Sequence, residues 1–358
     1  MKKSLLWLLV VVLAISLTAV FSLSGCKPTA EEEVAEEEEV AAEEEVLAGP
    51  FTIGMIVKNT GNPFFERCEE GGLEVTDQFG DTLIFQAPET ATAEGQIALI
   101  DALTAQQVDG ICISANDSTA LVPSCQAAMD AGIKVISFDS GIDQEGRILH
   151  FNQADTEAIG RGQVQLIAEM IDYEGQIAIL SATSQATNQN AWIEWMKTEL
   201  EDPKYADMEL VATVYGDDER EKSYNEALGL FSSYPDLKGI ISPTSVGVAA
   251  TARALEDEGL AGQIQLTGLG LPSEMEEYIL DGTCQGMALW NPIQLGYMAT
   301  WVTRALVSGE ITGAVGETLV IGDYGEREIG DYGNGPEILM GPPFAFDASN
   351  IEEWAAVY

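Results

Sequence analysis

The residues with the most chemical promise in this chain are uncharged amides, a few charges and aromatic rings, set just after short apolar runs. Residues 181–195 read SATSQATNQNAWIEW and follow the run QIAIL. They place Gln185, Asn188, Gln189 and Asn190 close together, with Trp192 and Trp195 behind them. Amides donate and accept hydrogen bonds without carrying charge, and indoles offer flat apolar faces. Together they suit a neutral, hydroxyl-rich ligand; a polar helix cap over core tryptophans is the plainer alternative. The pattern recurs at other run ends: Lys58-Asn59-Thr60-Gly61-Asn62-Pro63-Phe64-Phe65, Ser114-Ala115-Asn116-Asp117, Asp139-Ser140-Gly141, Asn152-Gln153, Pro243-Thr244-Ser245 and Trp290-Asn291. Lys58 and Asp139 are the charged members. Opposed across a cleft, an ammonium and a carboxylate can grip neighbouring hydroxyls; a structural ion pair is the alternative. Phe64, Phe65, Trp192 and Trp290 read either as a wall against an apolar sugar face or as ordinary core. Asn62, Asp117, Ser118 and Asn190 also suit helix N-caps.

Other chemistries fit poorly. The chain has one histidine, His150, inside an apolar run, which argues against a Ser–His–Asp arrangement. Neither a P-loop nor a GxGxxG fingerprint occurs, so no nucleotide cofactor is expected. Paired carboxylates can hydrolyse glycosides, and a secreted glycosidase stays as a lesser alternative. The mixture of one aspartate with many amides favours holding a ligand over cleaving it. Besides Cys26 there are four cysteines, Cys68, Cys112, Cys125 and Cys284, without CxxC spacing. Cys112 lies in an apolar run and reads as a buried free thiol; the sequence leaves any disulfide open, and no metal is expected.

Elements that could position these residues follow from the apolar pattern. The runs FTIGMIV, TLIFQA, GICIS, KVISF, ILHF, QIAIL, ELVATVY, GIIS, QLTGLG and GMALW read as buried strands, and helical stretches separate them. Continuous apolar strands alternating with helices predict parallel sheets covered on both faces. Ten units in 358 residues exceed one sheet, so the fold class is α/β with two doubly wound lobes of about five or six strands each. In such sheets ligands bind beyond the carboxyl ends of the strands, where the candidate residues stand. One lobe is expected over 51–152 plus about 288–318, the other over 153–287 plus about 319–358. The chain then crosses between them several times, as a hinge.

The ends and the charge bound the setting. Lys2 and Lys3 precede an apolar run from Leu5 to Leu23, which ends in Leu23-Ser24-Gly25-Cys26. This has the form of a secretory signal over 1–25, and its last four residues resemble a bacterial lipobox, making Cys26 the expected lipidation site. A transmembrane anchor is the alternative. Residues 26–50 form an acidic tether, with ten glutamates between Glu31 and Glu45. The protein is expected outside the cytoplasm, lipid-anchored to a bacterial membrane, as a monomer. Its 59 acidic against 16 basic residues, a net charge of −43, argue against a nucleic-acid partner.

Taken together, the chain resembles the solute-binding lipoproteins of ABC sugar importers, the ribose-binding-protein-like class with the type I periplasmic binding protein fold. The stretches VKNTGNPFF, SANDSTALVP, ISFDSG, FNQAD, SATSQATNQNAWIEWMK, VYGDD, SPTSVGVAATARALEDEG, TGLGLPSEM and LWNPIQLGY resemble the rhamnose-binding members most closely, over nearly all of 51–358. Autoinducer-2 receptors are close relatives of that group. The resemblance implies lobes joined by a three-segment hinge and closing on L-rhamnose, with an ABC permease and a separate ATPase as partners, and no catalysis. The six pocket positions of the autoinducer-2 receptors fall on Lys58, Asp139, Asn188, Gln189, Pro243 and Ser245. Four match; Asn188 stands for an aspartate and Ser245 for an alanine. The resemblance thus makes Lys58, Asp139, Asn188 and Gln189 hydrogen-bonding anchors, with Pro243 and Ser245 shaping the pocket and Phe65 and Trp290 lining it. Asn59, Asn116 and Asp117 are further expected contacts. An autoinducer-2 receptor is the alternative function.

Overall fold

Local signals set the first crossover. The Asn62 side chain accepts the Phe64 N–H at 3.1 Å, and Pro63 enters the helix at its first turn, where its missing N–H has no consequence. The same device recurs at Asn291-Pro292, where Asn291 accepts from Ile293 and Gln294. The computed structural model describes residues 47–358; the leader, Cys26 and the glutamate run lie outside that range. In chain order the elements begin β1 (Thr52–Ile56), α1 (Pro63–Phe79), β2 (Thr82–Gln86), α2 (Ala93–Gln106), β3 (Gly110–Ile113), α3 (Val122–Asp130), β4 (Lys134–Phe138) and β5 (His150–Asn152). They continue with α4 (Thr156–Met170), β6 (Gly175–Ser181), α5 (Thr187–Leu200), β7 (Met208–Tyr215), α6 (Arg220–Ser233), β8 (Leu237–Ser242), α7 (Ser245–Asp257), β9 (Gln265–Gly268), α8 (Pro272–Leu280) and β10 (Met287–Leu289). Last come α9 (Pro292–Ser308), β11 (Thr318–Val320), β12 (Glu326–Glu328), β13 (Gly330–Asp331), β14 (Pro336–Leu339), β15 (Phe344–Phe346) and α10 (Ile351–Ala355).

Two sheets result. The first runs β13-β14-β5-β4-β3-β1-β2, parallel except for β13; the second runs β7-β6-β8-β9, all parallel. Strand order reverses between β1 and β3 in one and between β6 and β8 in the other, and these are the switch points where doubly wound folds place ligands. Both sheets are lined by fully buried aliphatic side chains such as Ile53, Ile111, Ile179 and Ile240. α9 returns to the first lobe and packs on α1 so closely that glycines are required. A Cβ on Gly296 would lie 1.9 Å from the Cys68 carbonyl oxygen, and one on Gly71 would lie 1.9 Å from that of Ile293.

Several expectations need correction. The tail from 319 does not belong to the second lobe as a whole. β14 pairs in parallel with β5, extending the first sheet, and Tyr324 packs edge-on to Tyr297 of α9 at 5.2 Å. Only β15, which pairs with β10, and α10 join the second lobe. The reason is the free edge of β5, which the apolar segment EILM covers. Helix α5 begins three residues before Asn190, so Asn190 is not its cap; its Nδ2 donates to the Ser184 carbonyl at 2.9 Å. Trp195 is half-buried under the Arg161 guanidinium, 4.9 Å from the ring centre, rather than in the core. Ser118 caps no helix.

Cys68, Cys112, Cys125 and Cys284 are all free and buried. Burial pushes the Cys112, Cys125 and Cys284 thiols up to about 12, which leaves them unreactive at neutral pH. No helix among the described residues is long and apolar enough to cross a membrane.

Candidate binding site

The carboxyl ends of both sheets face one crevice. From the first lobe come Lys58, just past β1, Asp139, immediately after β4, and Asn62, Phe64 and Phe65 at the start of α1. From the second come Asn188, Gln189 and Trp192 on the first turns of α5, Asp218 after β7, Pro243, Thr244 and Ser245 around the start of α7, and Leu269 after β9. Leu289 and Trp290 close it where the chain crosses between lobes. These residues line a narrow cavity of about 40 Å³.

A polar chain runs across the cavity from one lobe to the other. The Ser114 hydroxyl donates to Asp139 Oδ2 at 2.6 Å, and Lys58 Nζ lies 3.9 Å from that same oxygen. Lys58 also donates to Asn188 Oδ1 at 2.9 Å, while Asn188 Nδ2 donates to Asp139 Oδ1 at 3.3 Å. The amide at 188 therefore accepts from the cation and donates to the anion, which no carboxylate could do. Burial pushes the Asp139 carboxyl above the usual carboxylate range; the Lys58 ammonium and the Ser114 hydroxyl oppose that, and the Asp218 carboxylate adds to it. Asp139 has a left-handed backbone, φ 57°, the kind of strain that gathers at functional positions.

The lining also carries an aromatic cluster. Phe64 meets Phe65 at 5.2 Å and Trp290 at 6.2 Å, and Trp290 meets Trp192 at 5.8 Å, all edge-on. Two polar atoms on the lining stand out. Gln189 Oε1 and Trp290 Nε1 are buried, yet neither has a hydrogen-bond partner among the described residues. Buried polar atoms are normally paired, so an acceptor and a donor are left for a ligand. Polar groups together with an aromatic cluster suit a molecule that carries both hydroxyls and C–H faces. No cluster of histidine, cysteine or carboxylate side chains suited to a metal occurs among the described residues.

Of the expected site residues, Lys58, Phe65, Asp139, Asn188, Gln189, Pro243, Ser245 and Trp290 come together on the cavity. Asn59, Asn116 and Asp117 do not. Asn116 donates to the carbonyls of Lys58 at 2.9 Å and Thr92 at 3.2 Å, bracing the backbone behind Lys58. Asp117 is taken up by the N–H groups of Thr119 and Ala120, as an N-terminal turn requires. Asn59 instead reaches the Asp218 carbonyl across the lobes at 3.5 Å. Asp218, Leu269 and Leu289 are on the lining without having been expected there, and Thr244, named only as part of a run end, joins them. Asp218 carried a readable signal, a carboxylate three residues past the strand run ELVATVY.

Residues 53–311 match the periplasmic binding protein domain family. A solute-binding protein of an ABC transporter from Clostridium phytofermentas, solved with bound L-rhamnose, is 42% identical with a TM-score of 0.85; the match covers 87% of this chain and 100% of that one. The D-ribose/D-allose-binding protein of Pseudomonas aeruginosa is 26% identical over 239 residues, 64% of this chain and 74% of that protein. LsrB from Clostridium saccharobutylicum in complex with AI-2 shares the fold, with a TM-score of 0.80 at 24% identity, over 85% of this chain and 99% of that one. The chain belongs to the periplasmic binding protein family, with two α/β lobes of the type I fold. More narrowly, it is an extracytoplasmic solute-binding protein of the sugar ABC-transporter kind, which binds its ligand and does not transform it.

Proposed function

We propose that this protein captures L-rhamnose between its lobes and presents it to an ABC permease driven by a separate ATPase. The observation that carries the reading is the pair of buried, unpartnered polar atoms, Gln189 Oε1 and Trp290 Nε1, on the same cavity as the Lys58–Asp139 pair. A neutral sugar supplies the hydroxyls that complete them. The rhamnose-bound relative, at 42% identity, supports the choice of sugar. Lobe closure brings both halves of the pocket onto the ligand and shifts the equilibrium toward the closed form. Lipidation of Cys26, a monomeric state and the roles of the two lobes belong to the same reading.

A second reading, autoinducer-2 reception, draws on the four pocket positions shared with those receptors: Lys58, Asp139, Gln189 and Pro243. Asn188 weighs against it. An aspartate there would stand 3.3 Å from the Asp139 carboxylate in place of a donor. Calorimetric titration of the soluble part with L-rhamnose, D-ribose and autoinducer-2 separates the two. L-rhamnose is expected to bind most tightly; preferential binding of autoinducer-2 would overturn the sugar reading.

A further inference from the structure

The cavity holds a second buried carboxylate, Asp218, supplied by the second lobe. It is only 7% exposed and has a left-handed backbone, φ 54°, as does Asp217 before it. The turn after β7 thus passes through the left-handed region at two successive positions, a conformation that aspartate adopts more readily than most side chains. The Thr244 hydroxyl donates to one carboxylate oxygen at 2.5 Å. No protein donor among the described residues reaches the other oxygen. The Asp218 carbonyl accepts Asn59 Nδ2 from the first lobe at 3.5 Å, which brings the residue up against that lobe.

Charge makes the position more unusual. Lys58 is the one cation on the described lining, and it already serves Asp139 at 3.9 Å. Two carboxylates thus share one ammonium. Burial pushes the Asp218 carboxyl above the usual range, and the Asp218 charge pushes that of Asp139 the same way. An extra buried anion destabilises the folded chain unless hydrogen-bond donors reach it. With Gln189 Oε1, also unpartnered and 6% exposed as a residue, the cavity is rich in acceptors. A ligand with several hydroxyls supplies the missing donors; a ligand with its own carboxylate would be a third anion against a single cation.

We propose that Asp218 is a ligand-gripping and selecting residue: it accepts hydroxyl hydrogen bonds from the second lobe, as Asp139 does from the first, and it bars sugar acids from the site. This rests on the reading of the pocket as a neutral-sugar site. The test is calorimetry on the soluble protein and its Asp218→Asn variant, with L-rhamnose and D-ribose as neutral probes and L-rhamnonate and D-galacturonate as acids. Melting temperatures of the unliganded proteins are measured alongside, and Asp218→Ser is the second variant should the first misfold.

The wild type is expected to bind L-rhamnose and neither acid. Asp218→Asn is expected to lose about ten- to a hundredfold in affinity for L-rhamnose without a lower melting temperature. Its preference for L-rhamnose over L-rhamnonate should narrow by about tenfold or more, a change that a merely structural role would not produce. Wild-type binding of L-rhamnose with unchanged affinity in the variant overturns the role of Asp218 and leaves the sugar reading standing. Equal uptake of acids and neutral sugars by the wild type overturns the selection. A wild type that binds none of the neutral sugars overturns the sugar reading, and the proposal with it.

Discussion

At Asn188 a single amide satisfies two opposite charges, accepting from Lys58 and donating to Asp139. The consequence is a pocket already braced across both lobes before ligand hydroxyls are counted. Replacing Asp139 by alanine removes the first-lobe acceptor and leaves Lys58 and ligand hydroxyls without their partner. Binding should weaken by about 2–4 kcal/mol, read by calorimetry; unchanged affinity would remove Asp139 from the site. Much of this was legible from residue types. Lys58 and Asp139 follow apolar runs in the chain, and strand ends are where such folds bind. Pro243 and Ser245 also stand at a run end, and the family resemblance singled them out as pocket-shaping residues. Asn116 and Asp117 misled because amides and carboxylates at strand ends serve equally well as braces and caps, and sequence alone does not say which way a loop side chain turns. Asp218 was overlooked although it stands three residues past the run ELVATVY, because residue types alone do not reveal the two-residue left-handed turn on which it sits.

Among the elements, the α1–α9 contact is the tightest joint of the first lobe, with backbone against backbone at Gly71 and Gly296. Gly296→Ala places a methyl 1.9 Å from the Cys68 carbonyl oxygen. The helices must part, and overpacking of this kind costs about 1–3 kcal/mol; a thermal melt should show the loss without a change in ligand preference. In the second lobe Glu199 ties α5 to α4. It accepts from Tyr205 at 2.7 Å, from Arg161 at 2.8 Å and from Gln165 at 3.0 Å, with Lys204 at 3.1 Å. Burial alone would raise its carboxyl, but these donors outweigh burial and hold it at about 2. An ordinary glutamate titrates near about 4.3. The stabilisation is therefore present above that value and is lost as the pH falls toward 2. Glu199→Gln should melt below the wild type at pH 7, and the gap should close in acid. The elements themselves were legible because strand and helix periods are local. The start of α5 was placed three residues late, since Asn190 resembles a cap and the actual first turn carries the amides that face the cavity.

At the scale of the molecule the chain crosses between lobes at 153–155, at 290–291 and again after β14. The first sheet is not built from the first part of the chain alone: α9 covers α1, and β14 pairs with β5. A fragment of residues 47–152 lacks both, exposing the α1 face and the β5 edge. It should show no cooperative melting transition by circular dichroism, whereas residues 47–358 should. The two-lobe plan was legible from the count of alternating units. The return of β14 was not, because a four-residue apolar segment can pair with any free edge, and which edge is free depends on the folded whole. That late return also governs timing. Chains usually fold from the amino end as they are made, but here the first lobe waits for residues near 339 and the second for β15 and α10. Both halves stay unfinished until residues 336–355 have been synthesised, which suits a protein that must cross a membrane before it assumes its working shape.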